Sequence, residues 1–124
     1  MAGSASSEID ETLRSWVLEN PTVVGYVVMN SDGIPIKIHK RMQHEKAVQY
    51  AALISDFLLT ARRTLRELLP DNNDLASVRI RTKEGTEILV VTAAEYVLIV
   101  VQNCTGTPLD WETEAENQGE GGGA

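Results

Sequence analysis

A single cysteine, Cys104, leaves the chain no possible intrachain disulfide, so nothing in it asks for an oxidising compartment. Long apolar runs are missing as well. The longest purely apolar stretch is Tyr96–Val101, far short of the roughly 20 residues that a membrane-spanning helix needs. Residues 1–10 have neither a basic start nor an apolar centre, and Ala2 stands where myristoylation requires glycine, so neither a secretory leader nor that lipid is expected. Basic charge is also scarce, with 11 Lys and Arg against 18 Asp and Glu. Five of the acids, Asp110, Glu112, Glu114, Glu116 and Glu120, fall in a final stretch without Lys or Arg. Taking them from the net charge of −7 leaves −2 on residues 1–109. So balanced a body lacks the concentrated basic face of a nucleic-acid-binding protein. The expectation is a cytoplasmic protein with neither a nucleic acid nor a membrane as partner.

Chemistry is scarce too. There is no GxxxxGKS/T phosphate loop and no GxSxG nucleophile elbow, and the glycines cluster between Gly119 and Gly123. One cysteine and two histidines cannot close a zinc site; His39 and His44 span a strand-to-helix junction and read as solvent-facing. Asp56, flanked by Ser55 and Phe57, reads as a solvated helix residue rather than an acid catalyst. Arg62, Arg63, Arg79 and Arg81 are candidates for the arginine that a GTPase regulator supplies to transferred phosphate charge. Ordinary solvated faces and cross-interface salt bridges are the simpler account of them. No catalytic residue, cofactor or metal ligand is expected, and the chain reads as a non-enzyme.

What is present is architecture. Ser7 can cap a first helix whose apolar face is Ile9, Leu13, Trp16 and Val17, closed by Asn20-Pro21. Val23–Met29 is apolar apart from Gly25, and Tyr96–Val101 is apolar throughout, as suits central strands covered on both faces. Asp32-Gly33 makes a hairpin turn between Val23–Met29 and a strand at Ile34–His39, and Pro35, having no N–H to donate, puts that second strand at a sheet edge. Leu75–Thr82 alternates apolar with polar residues, Lys83-Glu84-Gly85 turns, and Glu87–Thr92 follows. The result is an α+β domain built on a five-stranded antiparallel sheet.

Between the second and third strands lies the longest helical pattern, about His44 to Leu69, stopped by Pro70. Its stripe of Ala47, Tyr50, Ala51, Ile54, Phe57, Leu58, Ala61, Leu65 and Leu68 should pack on the sheet. At about 39 Å the helix is longer than a sheet about 19 Å wide, so it overhangs or bends. A second row, Val48, Ala52, Ser55 and Leu59, continued by Arg62 and Arg66, lies about a third of a turn away. It either widens the buried stripe or meets a second copy in a symmetric dimer.

The ordered blocks NSDGIPIK (30–37), QYAALISDFLLTARRTLREL (49–68), NDLASVRIRTKEGTEILV (73–90) and EYVLIVVQN (95–103) resemble the roadblock family of dynein light chains. The resemblance spans roughly residues 8–103. It implies strand order 2-1-5-4-3, with the long helix on one face of the sheet and the N-terminal helix on the other. It also implies homodimers, or pairing with a paralogue, through the long helix and third strand. On this chain those elements carry Val48, Ala52, Ser55, Leu59 and Arg62, with Ser77, Val78, Arg79, Ile80 and Arg81. The implied function is that of a non-catalytic light chain binding the dynein intermediate chain for microtubule-based movement, located on the cytoskeleton in the cytoplasm or a ciliary axoneme. Relatives of this fold that scaffold small GTPases supply the alternative. The expected organisation is a flexible segment at 1–6, a domain at 7–104 and an acidic, glycine-rich disordered tail at 105–124, where Leu109 and Trp111 are the side chains able to dock on the body.

Overall fold

The computed structural model describes residues 11–15, 18–71, 74–93 and 95–112. Five strands, β1 (Val23–Asn30), β2 (Pro35–Ile38), β3 (Ser77–Arg81), β4 (Thr86–Ala93) and β5 (Tyr96–Asn103), form one sheet in the order β2-β1-β5-β4-β3, antiparallel at every pairing. The expected topology and helix are therefore present. Ser7 and residues 1–6 lie outside the described residues, as do Ile9, Trp16 and Val17.

The β1–β2 turn is organised by Asn30, whose Oδ1 accepts hydrogen bonds from the backbone N–H of Asp32 (2.9 Å) and Ile34 (3.1 Å). Gly33 then takes the positive φ of 78° that a residue with a side chain resists. The following Pro35, opposite Met29 of β1, opens β2, an edge strand in which a missing strand donor is tolerated.

Register sorts the two faces. Val27, Met29, Val90, Val97, Ile99 and Val101 meet Ala47, Ala51, Ile54 and Leu58 of the long helix (His44–Leu68) in one core. The alternate residues Val28 and Val100 are buried on the opposite face, so β1 and β5 are covered from both sides. Residues 11–15 and 18–19 are helical, and Leu13 is buried outside the main core. The long helix ends where Leu69 donates its N–H to the Leu65 carbonyl, 2.7 Å away, just before Pro70.

Two expected members of the helix's sheet-facing stripe are displaced: Phe57 is 43 % exposed and Leu68 is 70 % exposed. For Leu68 the reason is length, because no residue beyond Leu58 in the helix is buried. Phe57 lies about a quarter-turn from the axis of the buried stripe, on the flank of a helix too narrow to cover the sheet.

Past the expected boundary at 104 the chain stays packed on the body. Trp111 is 4 % exposed and belongs to the main core, with Leu109 packed against it. Asn103, at the end of β5, redirects the chain. Its Nδ2 donates to the Thr107 carbonyl (2.9 Å) and to Glu112 Oε2 (3.0 Å), while its Oδ1 accepts from the Thr105 N–H (3.0 Å) and hydroxyl (2.7 Å). Leu109 N–H donates to Glu112 Oε2 at 2.7 Å, closing a short helical turn at residues 110–112. Gly25 explains itself here: a Cβ on it would stand 2.7 Å from Met42 Cε and 3.0 Å from Trp111 Cη2. The glycine that interrupts the apolar β1 is the floor on which Trp111 and Met42 lie. Residues 113–124 lie outside the described residues.

His39 is also corrected, from solvent-facing to buried. Its ring meets Tyr26 edge-on with centroids 5.1 Å apart, and its Nδ1 accepts the Arg41 backbone N–H at 3.3 Å. Burial, then the charges of Arg41 and Lys40, hold its pKa below the ordinary 6.5.

Two outcomes are expected. Trp111→Ala should cost about 3–5 kcal/mol by urea denaturation, the usual penalty for emptying a buried aromatic site, whereas a tail merely resting on the surface would cost almost nothing. As pH falls through 6.5 the unfolded chain takes up the His39 proton before the folded one, so this contribution is complete above 6.5 and declines below it. His39→Gln should therefore flatten part of the stability loss between about pH 7 and about pH 5, measured by denaturant titration at each pH.

Candidate interaction surface

β3 pairs with β4 alone, leaving one row of backbone donors and acceptors open at the sheet edge among the described residues. On the helix side of this strand Val78 and Ile80 are half-buried, opposite Val90 and Ile88 of β4. On the other side Ser77, Arg79 and Arg81 are exposed.

The long helix lies over β1 and β2 and leaves this edge thinly covered. At about 100° per residue, Tyr50, Leu53 and Phe57 share one flank of the helix. Leu53, 60 % exposed, lines a cleft of about 210 Å³ with Tyr50, Ile54 and Ile88, so this flank faces β4. An apolar step thus descends from Leu53 through Ile88 to Ile80 at the open strand, with Phe57 exposed one turn further along the same helix flank. Burial raises the Tyr50 phenol's pKa; the Trp111 indole opposes that rise and Glu112 adds to it. The Trp111 Nε1 itself is buried without an aligned hydrogen-bond partner, so its influence on Tyr50 is one of proximity.

The sequence-derived helix row lies on the other flank. Val48, Ala52 and Leu59 are exposed, and Ser55 and Arg62 are half-buried. Ser55 abuts the β1–β2 turn: a Cβ on Gly33 would come within 2.6 Å of its Oγ, which also donates to Met29 Sδ at 3.5 Å. Leu59 and Arg62 share a cleft of about 340 Å³ with Asn30, Ser31 and Asp32 of the hairpin and with Thr92, Glu95 and Tyr96 around the β4–β5 turn. The ten sequence-derived interface residues thus fall in two groups, five on β3 and five on the long helix. Ser77, Val78, Arg79, Ile80 and Arg81 lie at the open edge, whereas Ser55 meets the hairpin tip and Leu59 and Arg62 border the cleft between the hairpin and the β4–β5 turn. Ser55 is small because the hairpin tip approaches it. Leu53 and Phe57 are exposed apolar residues that the sequence-derived set does not include.

The charge of the open edge is organised by one carboxylate. Glu87 is buried, and Arg79 Nη2 lies 2.9 Å from its Oε1, with Arg81 Nη1 3.8 Å from its Oε2. Gln102 Nε2 donates to Glu87 Oε1 (3.2 Å), and its Oε1 accepts from the Thr22 hydroxyl (2.9 Å). A polar chain crosses β5, β4 and β3 and satisfies the buried acid. Both guanidinium side chains nonetheless stay mostly exposed.

Elsewhere, Asp56, Cys104 and His44 are exposed, and among the described residues no three metal-capable side chains converge. No helix among them is long and apolar enough to cross a membrane.

The body built this way is similar to solved roadblock structures. A roadblock/LC7 domain from Streptomyces avermitilis is 19 % identical, with 85 % of each chain covered and a TM-score of 0.63. The gliding protein MglB from Thermus thermophilus is 12 % identical over 87 % of this chain and 79 % of its own, with a TM-score of 0.65. An MglB in a tetrameric arrangement is 12 % identical over 90 % and 82 %, with a TM-score of 0.66. At these identities the likeness is one of fold. The Roadblock/LC7 domain family model matches residues 9–103, most of the chain, and with the sheet order, long helix and open third strand in place, the protein belongs to the Roadblock/LC7 domain family.

Proposed function

We propose that this chain is a non-catalytic, cytoplasmic platform that associates with a second roadblock chain along β3 and presents the joined surface to a small GTPase. The observation that carries the reading is the coincidence of an open strand edge with the exposed flank of Leu53 and Phe57. A second copy placed there would satisfy the backbone row and cover both side chains at once. In such a pair the helix contact is made by the Leu53 and Phe57 flank, and Val48, Ala52 and Leu59 remain outside it.

A small GTPase is favoured as the client because the similar structures named above include the gliding protein MglB and no dynein subunit. Arg79 and Arg81, held by Glu87 at the edge, are the residues suited to meet an anionic client surface. A light chain binding the dynein intermediate chain remains the second reading, carried by the resemblance of the ordered sequence blocks to that branch. It uses the same paired body, with the microtubule cytoskeleton as its location.

Two measurements separate these statements. In sedimentation velocity at micromolar protein, Phe57→Glu should weaken self-association by about tenfold or more, as placing a charge at a central apolar contact does, and Leu59→Glu should leave it unchanged. The reverse ranking would return the interface to the hairpin flank. In capture from extract of the source cells, the intact protein should retain a small GTPase, and Arg79→Ala should reduce its effect on nucleotide exchange or hydrolysis. Retention of a dynein intermediate chain without a GTPase would overturn the favoured client.

A further inference from the structure

We propose that the cleft between the first helical residues and the β2-to-helix junction binds an acidic, aliphatic-containing peptide segment of a partner protein. The cleft has a volume of about 380 Å³, within the range of roughly 300–1,000 Å³ common for ligand sites and too small for a folded element. Leu18, Val24 and Ile38 make its apolar wall. Leu18, 79 % exposed, is a large side chain with little of its surface covered. Arg14, Lys40 and Arg41 also line it, and among the described residues no carboxylate does.

That charge pattern runs against the whole chain, which carries −7. Arg41 already has an interaction of its own, so the attraction rests chiefly on Arg14 and Lys40, both exposed. Tyr26 and His39 line the cleft with their edge-on ring pair. Because His39 Nδ1 accepts the Arg41 N–H, the proton of the neutral imidazole sits on Nε2, the nitrogen available as a donor. Cations beside an aliphatic wall match a segment in which glutamate or aspartate alternates with leucine or valine. A nucleic acid would call for a broader basic face and would leave the apolar wall unused. The site is remote from β3, and its occupancy does not depend on which client meets that edge.

The test is titration of the ¹⁵N-labelled full chain with a synthetic peptide of alternating glutamate and leucine. Saturable amide shifts at Val24, Ile38 and Lys40 are expected. Affinity should fall about tenfold or more in the Arg14→Glu, Lys40→Glu double variant and decline with added salt, as it does when charge drives docking. A lysine and leucine peptide of equal length should not bind. Absent shifts, equal affinity in the double variant, or equal binding of the basic peptide would each overturn the proposal. If neutralising Glu114, Glu116 and Glu120 to Gln in the full chain moves the same amides without added peptide, the cleft belongs to this chain's own C-terminal segment, and the partner assignment fails.

Discussion

A single α-helix is about 10 Å across with its side chains, whereas five strands span about 19 Å, and from this mismatch most of the molecule's surface logic follows. The long helix lies on β1 and β2 and seals the core over the central strands. It cannot also reach β3. Val78, Ile80 and Ile88 are therefore left half-buried, and Leu53 and Phe57 stay exposed on the helix flank turned toward β4. Full burial of such a side chain contributes about 1.5–3 kcal/mol, so two from each of two copies would give at most about 6–12 kcal/mol. Association costs a comparable amount, about 4–15 kcal/mol. The apolar flank alone thus cannot be counted on to hold a pair together; the β3 backbone ladder has to share the work.

The other end of the helix meets the opposite situation. There the sheet is closed by a side chain from the far end of the domain: Trp111 lies over Gly25 beside Met42, brought back by the hydrogen bonds of Asn103. This makes the body asymmetric, with a sealed region around the start of the helix and an open one toward β3. A loose C-terminal segment would have opened the core over β1 as well. The position of one tryptophan therefore decides that β3, and not the whole helix side of the sheet, is the surface left for a partner.

Much of this was legible in the sequence because it depended on local rules. Two-sided apolar runs marked β1 and β5 as central, alternation marked β3 as one-sided, and Pro35 marked β2 as an edge. Three features depended on tertiary contacts instead. Trp111 was masked by its acidic, glycine-rich surroundings, although the lone Gly25 in an apolar strand was the matching signal. His39 looked polar and exposed because its partner ring, Tyr26, lies on another strand. The choice of interface flank is open from sequence for a geometric reason. Helical periodicity finds a buried stripe and two flanks, but it cannot say which flank turns toward which strand. Val48, Ala52 and Leu59 are as apolar as Leu53 and Phe57, and only the direction in which the helix crosses the sheet separates them.

An open strand edge is hazardous unless something restricts what pairs with it, and here Glu87 supplies the restriction. With one carboxylate set between two guanidiniums, the edge keeps an excess of positive charge on its solvent side. An arbitrary strand with its own cations is repelled at this position. A second copy of the chain would oppose arginine to arginine, yet it would also bring its own Glu87, buried one strand behind Arg81 in register. Each copy thus carries the counter-charge that lowers the repulsion of the pair. An acidic client surface needs no such compensation and is attracted to whatever positive charge remains. The same three residues that discourage indiscriminate strand addition therefore leave the edge open to a like subunit and favourable to an anionic client.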